Sequence, residues 1–352
     1  MKIRKNLNQR KVINNSNLNK GEERMRKIAI IGSGTWGVAL ASYLANQGND
    51  VKIWSFAKEE VEMINNEKKC KFLPQLTIPK NVEASQDAEY VVDGAEIILH
   101  VTPSKFVRST LQVYKDYVKE NQPIIMCSKG FEPVTEKTFD VVVKEELPDV
   151  RFGVLSGPSH AEEVSMGIPT AIVIASEYES IIRTIREIFG SNIMRIYSIR
   201  DVKGAEIGSA LKNIIAFCAG ICVGLKLGDN SFAALLTRGL VEITRLGTAM
   251  GADSKTFYGL TGLGDLIVTC GSEHSRNRRA GKMIGEGKTI EEARQEIGMV
   301  IESIDNIDVA YSLAKKYNVE MPIVNAVYDV LYNGLDPMEA VNKLMTRELK
   351  DE

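Results

Sequence analysis

The chain has 352 residues, with 44 Lys and Arg against 46 Asp and Glu. A net charge of −2 provides no overall field that would attract nucleic acid or an anionic membrane. The length predicts two or three domains, and the composition, 44% hydrophobic and 26% charged, is typical of a soluble globular protein. Five cysteines without paired spacing favour a reducing cytoplasm, and three histidines with no Cys-x-x-Cys pair argue against a metal site.

The first 24 residues are rich in Asn, Lys and Arg and lack the apolar core of a signal peptide. We predict a disordered tail for this segment. No apolar run in the chain reaches the roughly 18–20 residues that a membrane-spanning helix needs, so membrane insertion is not expected.

The stretch RKIAIIGSGTWGVALASYLANQGNDVKIWSF (26–56) reads as strand, glycine-rich turn, helix and second strand. Gly32, Gly34 and Gly37 have the Gly-x-Gly-x-x-Gly spacing of a dinucleotide-binding turn. The first glycine permits a tight turn, the second lets a pyrophosphate approach the backbone, and the third lets the helix pack on the strand. The helix amides would then meet the phosphates. A turn that only aids packing is the alternative, and the strand–helix–strand context favours the cofactor.

Four further apolar runs predict strands at 95–101, 123–132, 151–164 and 169–176. Because helical segments separate them, residues 25–200 are predicted to form a Rossmann-like, doubly wound, largely parallel sheet. Ligands of such sheets bind beyond the carboxyl ends of the strands. Lys129 and the loop at 157–160 are predicted to lie there, although a lysine after a strand is often only a solvated charge.

Residues 201–352 are predicted to form an all-α domain that follows the dinucleotide-binding one. Apolar residues at helical period predict helices at about 201–224, 230–250, 255–270, 276–286, 289–297, 301–316 and 323–346.

One of these predicted helices contains a lysine within an apolar segment, GSALKNIIAFCAGIC (208–222). Lone helical lysines commonly extend to solvent, so that alternative stays open for Lys212. If Lys212 is buried, its apolar neighbours would lower its pKa, and Asp265 in TGLGDLIVTC could orient it and partly offset that effect. A hydride-transferring enzyme needs such a group to handle the proton of the substrate oxygen. Taken alone, Asp265 after glycine is equally typical of a helix cap.

The segment GSEHSRNRRAG (271–281) follows with Ser275, Arg276 and Asn277. These donors suit an anionic substrate group, particularly phosphate, although a solvated basic helix face would look the same. The spacing alone does not bring this segment together with Lys212 and Asp265.

The end of the second strand, WSFAKEE (54–60), leaves the choice of nucleotide open. Dinucleotide folds that prefer NAD usually place an acid at this strand end, and here none stands there. Lys58 could approach the 2′-phosphate of NADP, whereas Glu59 or Glu60 could oppose it.

Seven motifs resemble the bacterial-type NAD(P)-dependent glycerol-3-phosphate dehydrogenases, in the order of that family and over roughly residues 25–350. They are IGSGTWGVALA, CSKGFE, LSGPSHAEEV, GAEIGSALKNIIAFCAGI, GDNSFAALLTRGLVEITRLG, GLTGLGDLIVTCGSEHSRNRRAG and GMVIES.

The resemblance implies reversible reduction of dihydroxyacetone phosphate to sn-glycerol 3-phosphate, a phospholipid precursor, with NAD or NADP as cofactor. It implies that Lys212 accepts the proton in oxidation and donates it in reduction, in a catalytic group with Asp265, Lys129 and Thr269. The substrate contacts that it implies are Lys129, Gly157, Ser159, Lys212, Asp265, Ser275, Arg276 and Asn277. The cofactor contacts that it implies are Gly32, Gly34, Thr35, Trp36, Gly37, Phe56, Lys129, Ala161, Arg276, Val300 and Glu302.

The chain departs from the family pattern at Phe56 and Ala57, where many relatives carry a His-Arg pair that can meet the 2′-phosphate. We therefore expect use of both nucleotides or a preference towards NADH. Family analogy also suggests a homodimer. The alternatives are a related dehydrogenase that acts on a β-hydroxy acid and a non-catalytic dinucleotide sensor.

Overall fold

The computed structural model describes residues 24–348, so the predicted tail lies outside the described residues apart from Arg24. Within this range the strands precede a purely helical part. The strands are β1 (Lys27–Ile31), β2 (Asp50–Trp54), β3 (Val82–Ser85), β4 (Ile97–His100), β5 (Pro123–Met126), β6 (Arg151–Ser156), β7 (Thr170–Ala175) and β8 (Met194–Ile199). They form one sheet in the order β3-β2-β1-β4-β5-β6-β7-β8, in which only the β6–β7 pair is antiparallel.

Both faces of the sheet are covered. In β1, Ile28 and Ile30 belong to one buried cluster, whereas Ala29 and Ile31 belong to another, because successive side chains of a strand point to opposite faces. The predicted fold class is therefore confirmed. The α-helices between the strands are α1 (Thr35–Asn46), α2 (Lys58–Glu62), α3 (Ala88–Val92), α4 (Val107–Tyr114), α5 (Phe139–Glu146), α6 (Ala161–Ser165) and α7 (Glu179–Phe189).

Two strands were not predicted. β3 and β8 are the two edges of the sheet, and neither is a continuous apolar run. Edge strands bury less of their surface than central ones, so VEAS and MRIYSI carry too few apolar residues to stand out in the sequence. The predicted strand at 151–164 ends at Ser156, and α6 follows after a loop.

The second part of the chain contains eight α-helices between residues 202 and 345: α8 (Val202–Gly224), α9 (Gly228–Ala249), α10 (Asp265–Gly271), α11 (Arg276–Gly285), α12 (Ile290–Ile297), α13 (Glu302–Lys316), α14 (Pro322–Tyr332) and α15 (Pro337–Met345). The single helix predicted at 255–270 is wrong. That segment is a 3₁₀-helix (Ser254–Tyr258), a π-helical turn (Leu260–Gly264) and α10.

The single helix predicted at 323–346 is also wrong, because α14 and α15 are separate. Gly334 adopts a φ of +67°, which ends helical continuity, and Asp336 caps a new helix that begins with Pro337.

Helix α8 lies at the centre of the helical part, with buried residues from Gly204 to Ile221. It is also the one helix of the described residues that is long and apolar enough to cross a membrane, contrary to the expectation that no segment would be. Because 83% of its apolar window is buried inside the protein, its composition is that of a core helix.

Helix α11 packs on α8 at backbone contact distance. A Cβ atom added at Gly281 would lie 1.8 Å from the carbonyl oxygen of Phe217, and one at Gly220 would lie 2.0 Å from that of Arg278. One turn further along, a Cβ at Gly224 would lie 2.4 Å from the carbonyl oxygen of Lys282, and one at Gly285 would lie 2.6 Å from that of Ile221. Glycines at i and i+4 on both helices thus permit this approach, which places the start of α11 beside the middle of α8.

We expect Gly281→Ala to destabilise the protein by about 1–3 kcal/mol or more, because backbone on a packed helix must move to admit the methyl group. Urea unfolding measures this effect. Gly271→Ala is the matched control, since a Cβ there meets nothing within 4 Å, and it should change the free energy of unfolding by less than about 0.5 kcal/mol. Equal stability of the two variants would contradict the close helix contact.

Candidate active site

A cavity of about 800 Å³ lies between the carboxyl ends of the sheet strands and the helical part. This volume suits an extended organic ligand. The predicted residues that line it are Gly32, Gly34, Thr35, Trp36, Phe56, Lys129, Ser159, Ala161, Lys212, Asp265, Thr269, Ser275, Arg276, Asn277, Val300 and Glu302. Gly37 and Gly157 lie outside its lining.

The glycine turn fits a bound pyrophosphate. Gly32 has a φ of +119°, and a Cβ at Gly37 would lie 2.0 Å from the carbonyl oxygen of Gly32, so both positions are closed to larger residues. At Gly34 a Cβ would meet nothing within 4 Å, because this position faces the cavity. No side chain caps α1, so the amides of its first turn are left for an anion at the cavity.

Lys212 is buried, with 4% of its surface exposed, which rules out the alternative of a lysine that extends to solvent. Its Nζ donates hydrogen bonds to Asp265 Oδ1 and, at 2.7 Å, to Thr269 Oγ1. The Thr269 hydroxyl donates in turn to the backbone carbonyl of Asp265 at 2.6 Å. Lys129 Nζ donates to Asp265 Oδ2 at 2.9 Å. One buried carboxylate therefore joins two ammonium groups that come from separate halves of the chain.

The local backbone explains how Asp265 reaches this position. It is the first residue of α10 and follows the π-helical turn, which packs on α8: a Cβ at Gly208 would lie 3.0 Å from the carbonyl oxygen of Thr261. Lys212 lies one helical turn after Gly208. The sequence left open whether Asp265 is only a helix cap. It is not, because its carboxylate makes no capping hydrogen bond to α10.

Burial and the opposite charges within this cluster shift the pKa values of Lys212 and Asp265 in opposite directions. Burial lowers the pKa of Lys212 to about 7, an effect that the carboxylate of Asp265 opposes and the charge of Lys129 reinforces. Burial alone would raise the pKa of Asp265, but the two ammonium groups hold it below its usual value. Asp265 is therefore ionised, and Lys212 can exchange a proton near neutral pH.

A second group of donors lies at the start of α11. Ser275 caps this helix, its Oγ accepting a hydrogen bond from Arg278 N at 3.2 Å. Asn277 Nδ2 donates to Asn213 Oδ1 at 3.0 Å, and Asn277 Oδ1 accepts from Ser303 N at 2.9 Å. Because the amides of a first helical turn have no intrahelical acceptor, this end of the cavity suits a phosphate group.

Arg276 and Glu302 also line the cavity. Arg276 Nη1 donates to the carbonyl oxygen of Val300 at 2.9 Å. Burial raises the pKa of Glu302, although its hydrogen bonds from the hydroxyl and amide of Ser104 and the nearby Arg276 oppose this. Asn306 Nδ2 also donates to the Glu302 carboxylate, at 3.2 Å.

Sequence reasoning noted Asn213 but did not include it in the predicted site. A second polar residue next to Lys212 in an apolar helix was the available signal, since a buried amide needs a partner. Lys58, considered for the 2′-phosphate, does not line the cavity. Among residues 24–348, no group of three or more His, Cys, Asp or Glu side chains could hold a metal ion.

Comparisons with known proteins match this arrangement to one family. Sequence profiles of the NAD-dependent glycerol-3-phosphate dehydrogenase N-terminus and C-terminus match residues 27–182 and 201–342. The chain belongs to this family. It is 48% identical to the glycerol-3-phosphate dehydrogenase [NAD(P)+] of Fusobacterium nucleatum over 93% of this chain and 98% of that protein.

Two further relatives agree with the family assignment. The glycerol-3-phosphate dehydrogenase [NAD(P)+] of Carboxydothermus hydrogenoformans is 46% identical over 93% of this chain and 98% of its own. The crystal structure of glycerol-3-phosphate dehydrogenase from Coxiella burnetii superposes with a TM-score of 0.89 at 38% identity, covering 92% of this chain and 99% of that one. The family predicted from the sequence motifs is thereby confirmed, and a hydroxy-acid dehydrogenase is not supported.

The fit of the glycine turn gives a test of cofactor binding in this dehydrogenase. We expect Gly34→Ala to weaken NADH binding roughly tenfold, equal to about 1.4 kcal/mol, because the methyl group would occupy space that the pyrophosphate needs. Its free energy of unfolding should stay within about 0.5 kcal/mol of the wild type. Titration calorimetry and urea unfolding measure the two effects, and unchanged NADH affinity would contradict the placement of the pyrophosphate at Gly34.

Proposed function

We propose that the protein catalyses the reversible NAD(P)H-dependent reduction of dihydroxyacetone phosphate to sn-glycerol 3-phosphate, which supplies the glycerol backbone for phospholipid synthesis. The observation that carries this proposal is the Lys212–Asp265–Lys129 cluster, which shares one cavity with the glycine turn and with the phosphate-binding donors of α11. When bound, the nicotinamide ring supplies or accepts the hydride at the second carbon of the triose.

The residues of the chain then bind, orient and exchange the proton. Protonated Lys212 donates to the carbonyl oxygen during reduction, and neutral Lys212 accepts the hydroxyl proton during oxidation. Asp265 and Thr269 hold the Nζ in place on rigid helices. Lys129 places a second positive charge next to the developing oxyanion.

The substrate phosphate lies at the first turn of α11 in this proposal. Ser275, Arg276 and Asn277 donate to its oxygens together with the free amides of the helix. Ser159 lines the same cavity, with its hydroxyl bonded to the carbonyl oxygen of Gly157 at 3.0 Å. A position for phosphate next to the proton-exchanging lysine favours a phosphorylated triose over a plain hydroxy acid.

We further propose that the protein works in the cytoplasm as a homodimer. The resemblance to the family supports the dimer. The five cysteines are all unpaired and four of them are buried, which is consistent with a reducing compartment.

The direct test follows NADH and NADPH oxidation by the purified full-length chain with dihydroxyacetone phosphate. The keto-acid precursors of β-hydroxy acids serve as competing substrates. We expect turnover with dihydroxyacetone phosphate alone. Stoichiometric nucleotide binding without turnover would support the sensor instead, and turnover of the keto acids would support the hydroxy-acid dehydrogenase.

Replacement of Lys212 tests the proton exchange. Lys212→Ala and the volume-conserving Lys212→Met should lower kcat by about 10²–10⁴-fold, while NADH affinity changes little. Lys203→Ala, on the same helix but outside the cavity lining, is the control and should retain full activity. Wild-type turnover in the Lys212 variants would leave that lysine with a structural role only.

The proposed proton exchange predicts opposite pH dependences for the rates of reduction and oxidation. Because the pKa of Lys212 is lowered to about 7, the protonated donor is lost as pH rises, and kcat/KM for reduction should fall about tenfold per pH unit well above that value. Oxidation of glycerol 3-phosphate should instead rise with pH and level off. Profiles recorded above pH ~7.5 avoid the second ionisation of a phosphate monoester, near ~6. A reduction rate that is constant from neutral to alkaline pH would contradict the role of Lys212 as donor.

A further inference from the structure

We infer that Glu60 makes this enzyme discriminate against the 2′-phosphate of NADPH, so that NADH is the preferred nucleotide. This preference deepens the proposed dehydrogenase function and depends on nucleotide binding in the same cavity. Glu60 belongs to α2, which follows β2, and it lines the cavity.

The carboxylate of Glu60 is held by two hydroxyl groups. Its Oε2 accepts hydrogen bonds from Ser33 Oγ and, at 3.0 Å, from Ser55 Oγ. The two hydroxyl oxygens are 2.6 Å apart, and both serines are buried. Within residues 24–348, no hydrogen bond engages the other carboxylate oxygen, Oε1. The negative charge therefore has a fixed position and one oxygen left for a ligand.

This position is where a dinucleotide fold places the adenosine ribose. Ser33 lies between Gly32 and Gly34 in the glycine turn, and Ser55 directly follows β2. The two segments are neighbours, since Gly32 N donates to the carbonyl oxygen of Trp54 at 3.0 Å. An acid near the end of the second strand of such folds binds the ribose hydroxyls. Here no acid stands at the strand end, and Glu60 reaches the same place from the following helix.

No cation compensates the charge of Glu60 among the described residues that line this part of the cavity. Phe56 and Ala57 line it without carrying charge. Lys58 is exposed and forms an ion pair with Glu62 at 3.6 Å, away from the lining. The basic groups deeper in the cavity have other partners: Lys129 and Lys212 bind Asp265, and the charge of Arg276 interacts with Glu302 and Glu162.

The two nucleotides differ only at the group that would face Glu60. The 2′-hydroxyl of NADH can donate a charge-assisted hydrogen bond to the free carboxylate oxygen. The 2′-phosphate of NADPH carries like charge and can donate no comparable bond. Discrimination therefore combines an attractive contact for one nucleotide with repulsion of the other.

The test compares Glu60→Gln with Glu59→Gln in the full-length protein. Glu59 is the neighbouring residue of α2, is exposed and does not line the cavity, so it is a matched control for charge. Dissociation constants for NADH and NADPH are measured by fluorescence titration, and kcat/KM is measured with each nucleotide and dihydroxyacetone phosphate. Ser55→Ala is a second variant, which releases the carboxylate without removing its charge.

We expect the wild type to bind NADH at least about tenfold more tightly than NADPH. Glu60→Gln should tighten NADPH binding by about tenfold and weaken NADH binding by a smaller factor, because a neutral amide no longer repels phosphate. Ser55→Ala should change the ratio in the same direction by less, and Glu59→Gln should leave it unchanged.

Tighter binding of NADPH than of NADH by the wild type would overturn the inference. So would a Glu60→Gln variant in which both affinities change by the same factor. These outcomes are separate from a failure of the proposed function. Nucleotide binding in the expected order without turnover of dihydroxyacetone phosphate would contradict the dehydrogenase activity and leave the role of Glu60 standing.

Discussion

The buried carboxylate of Asp265 is the interaction on which the rest of the site depends. It accepts hydrogen bonds from Lys212, on α8, and from Lys129, in the loop after β5, and so links the helical part to the sheet. Removal of ions from water costs several kcal/mol for each ion, so a buried cluster of this kind is weak evidence for stability. The cluster is important instead for the charge that it places in the cavity. With Lys212 neutral, the cluster carries no net charge, and with Lys212 protonated it carries one positive charge.

The close contact of α8 with α11 sets the distance between the amine of Lys212 and the donors at the start of α11. Lys212 and Asn213 come from α8, whereas Ser275 caps α11 and Arg276 and Asn277 are its first two residues. A helix pair with ordinary side chains at the contact would stand further apart than the glycine contact allows. The hydrogen bond between Asn213 and Asn277, 3.0 Å long, forms across this interface. Backbone packing at these glycines, which do not line the cavity, therefore determines where the donors at the start of α11 lie relative to the amine of Lys212.

The sequence was most informative where one local pattern determines the structure. The glycine turn, the central strands and α8 were predictable because periodicity and spacing act within a few residues. The edge strands β3 and β8 were not, since they bury too little surface to produce an apolar run. The π-helical turn before Asp265 was not predictable either, because nothing in LTGLG separates a π turn from an α-helical one. Convergence of Lys129, Lys212 and Asp265 is a long-range property, which only the family resemblance could suggest.

The two proposals together assign groups of opposite charge to the two ligands of the cavity. In the proposed function, the start of α11 and the single positive charge of the protonated Lys212–Asp265–Lys129 cluster favour a small dianion. The inferred role of Glu60 favours a neutral hydroxyl group at the ribose. An entirely basic cavity would bind any phosphate at either end, and the substrate phosphate could then compete with the nucleotide. With an acid near the ribose and cations near the substrate phosphate, charge alone would direct the nucleotide and the triose phosphate to different parts of the cavity. Under these two proposals the cavity excludes a misplaced phosphate at the ribose, while the amides of α1 still bind the pyrophosphate.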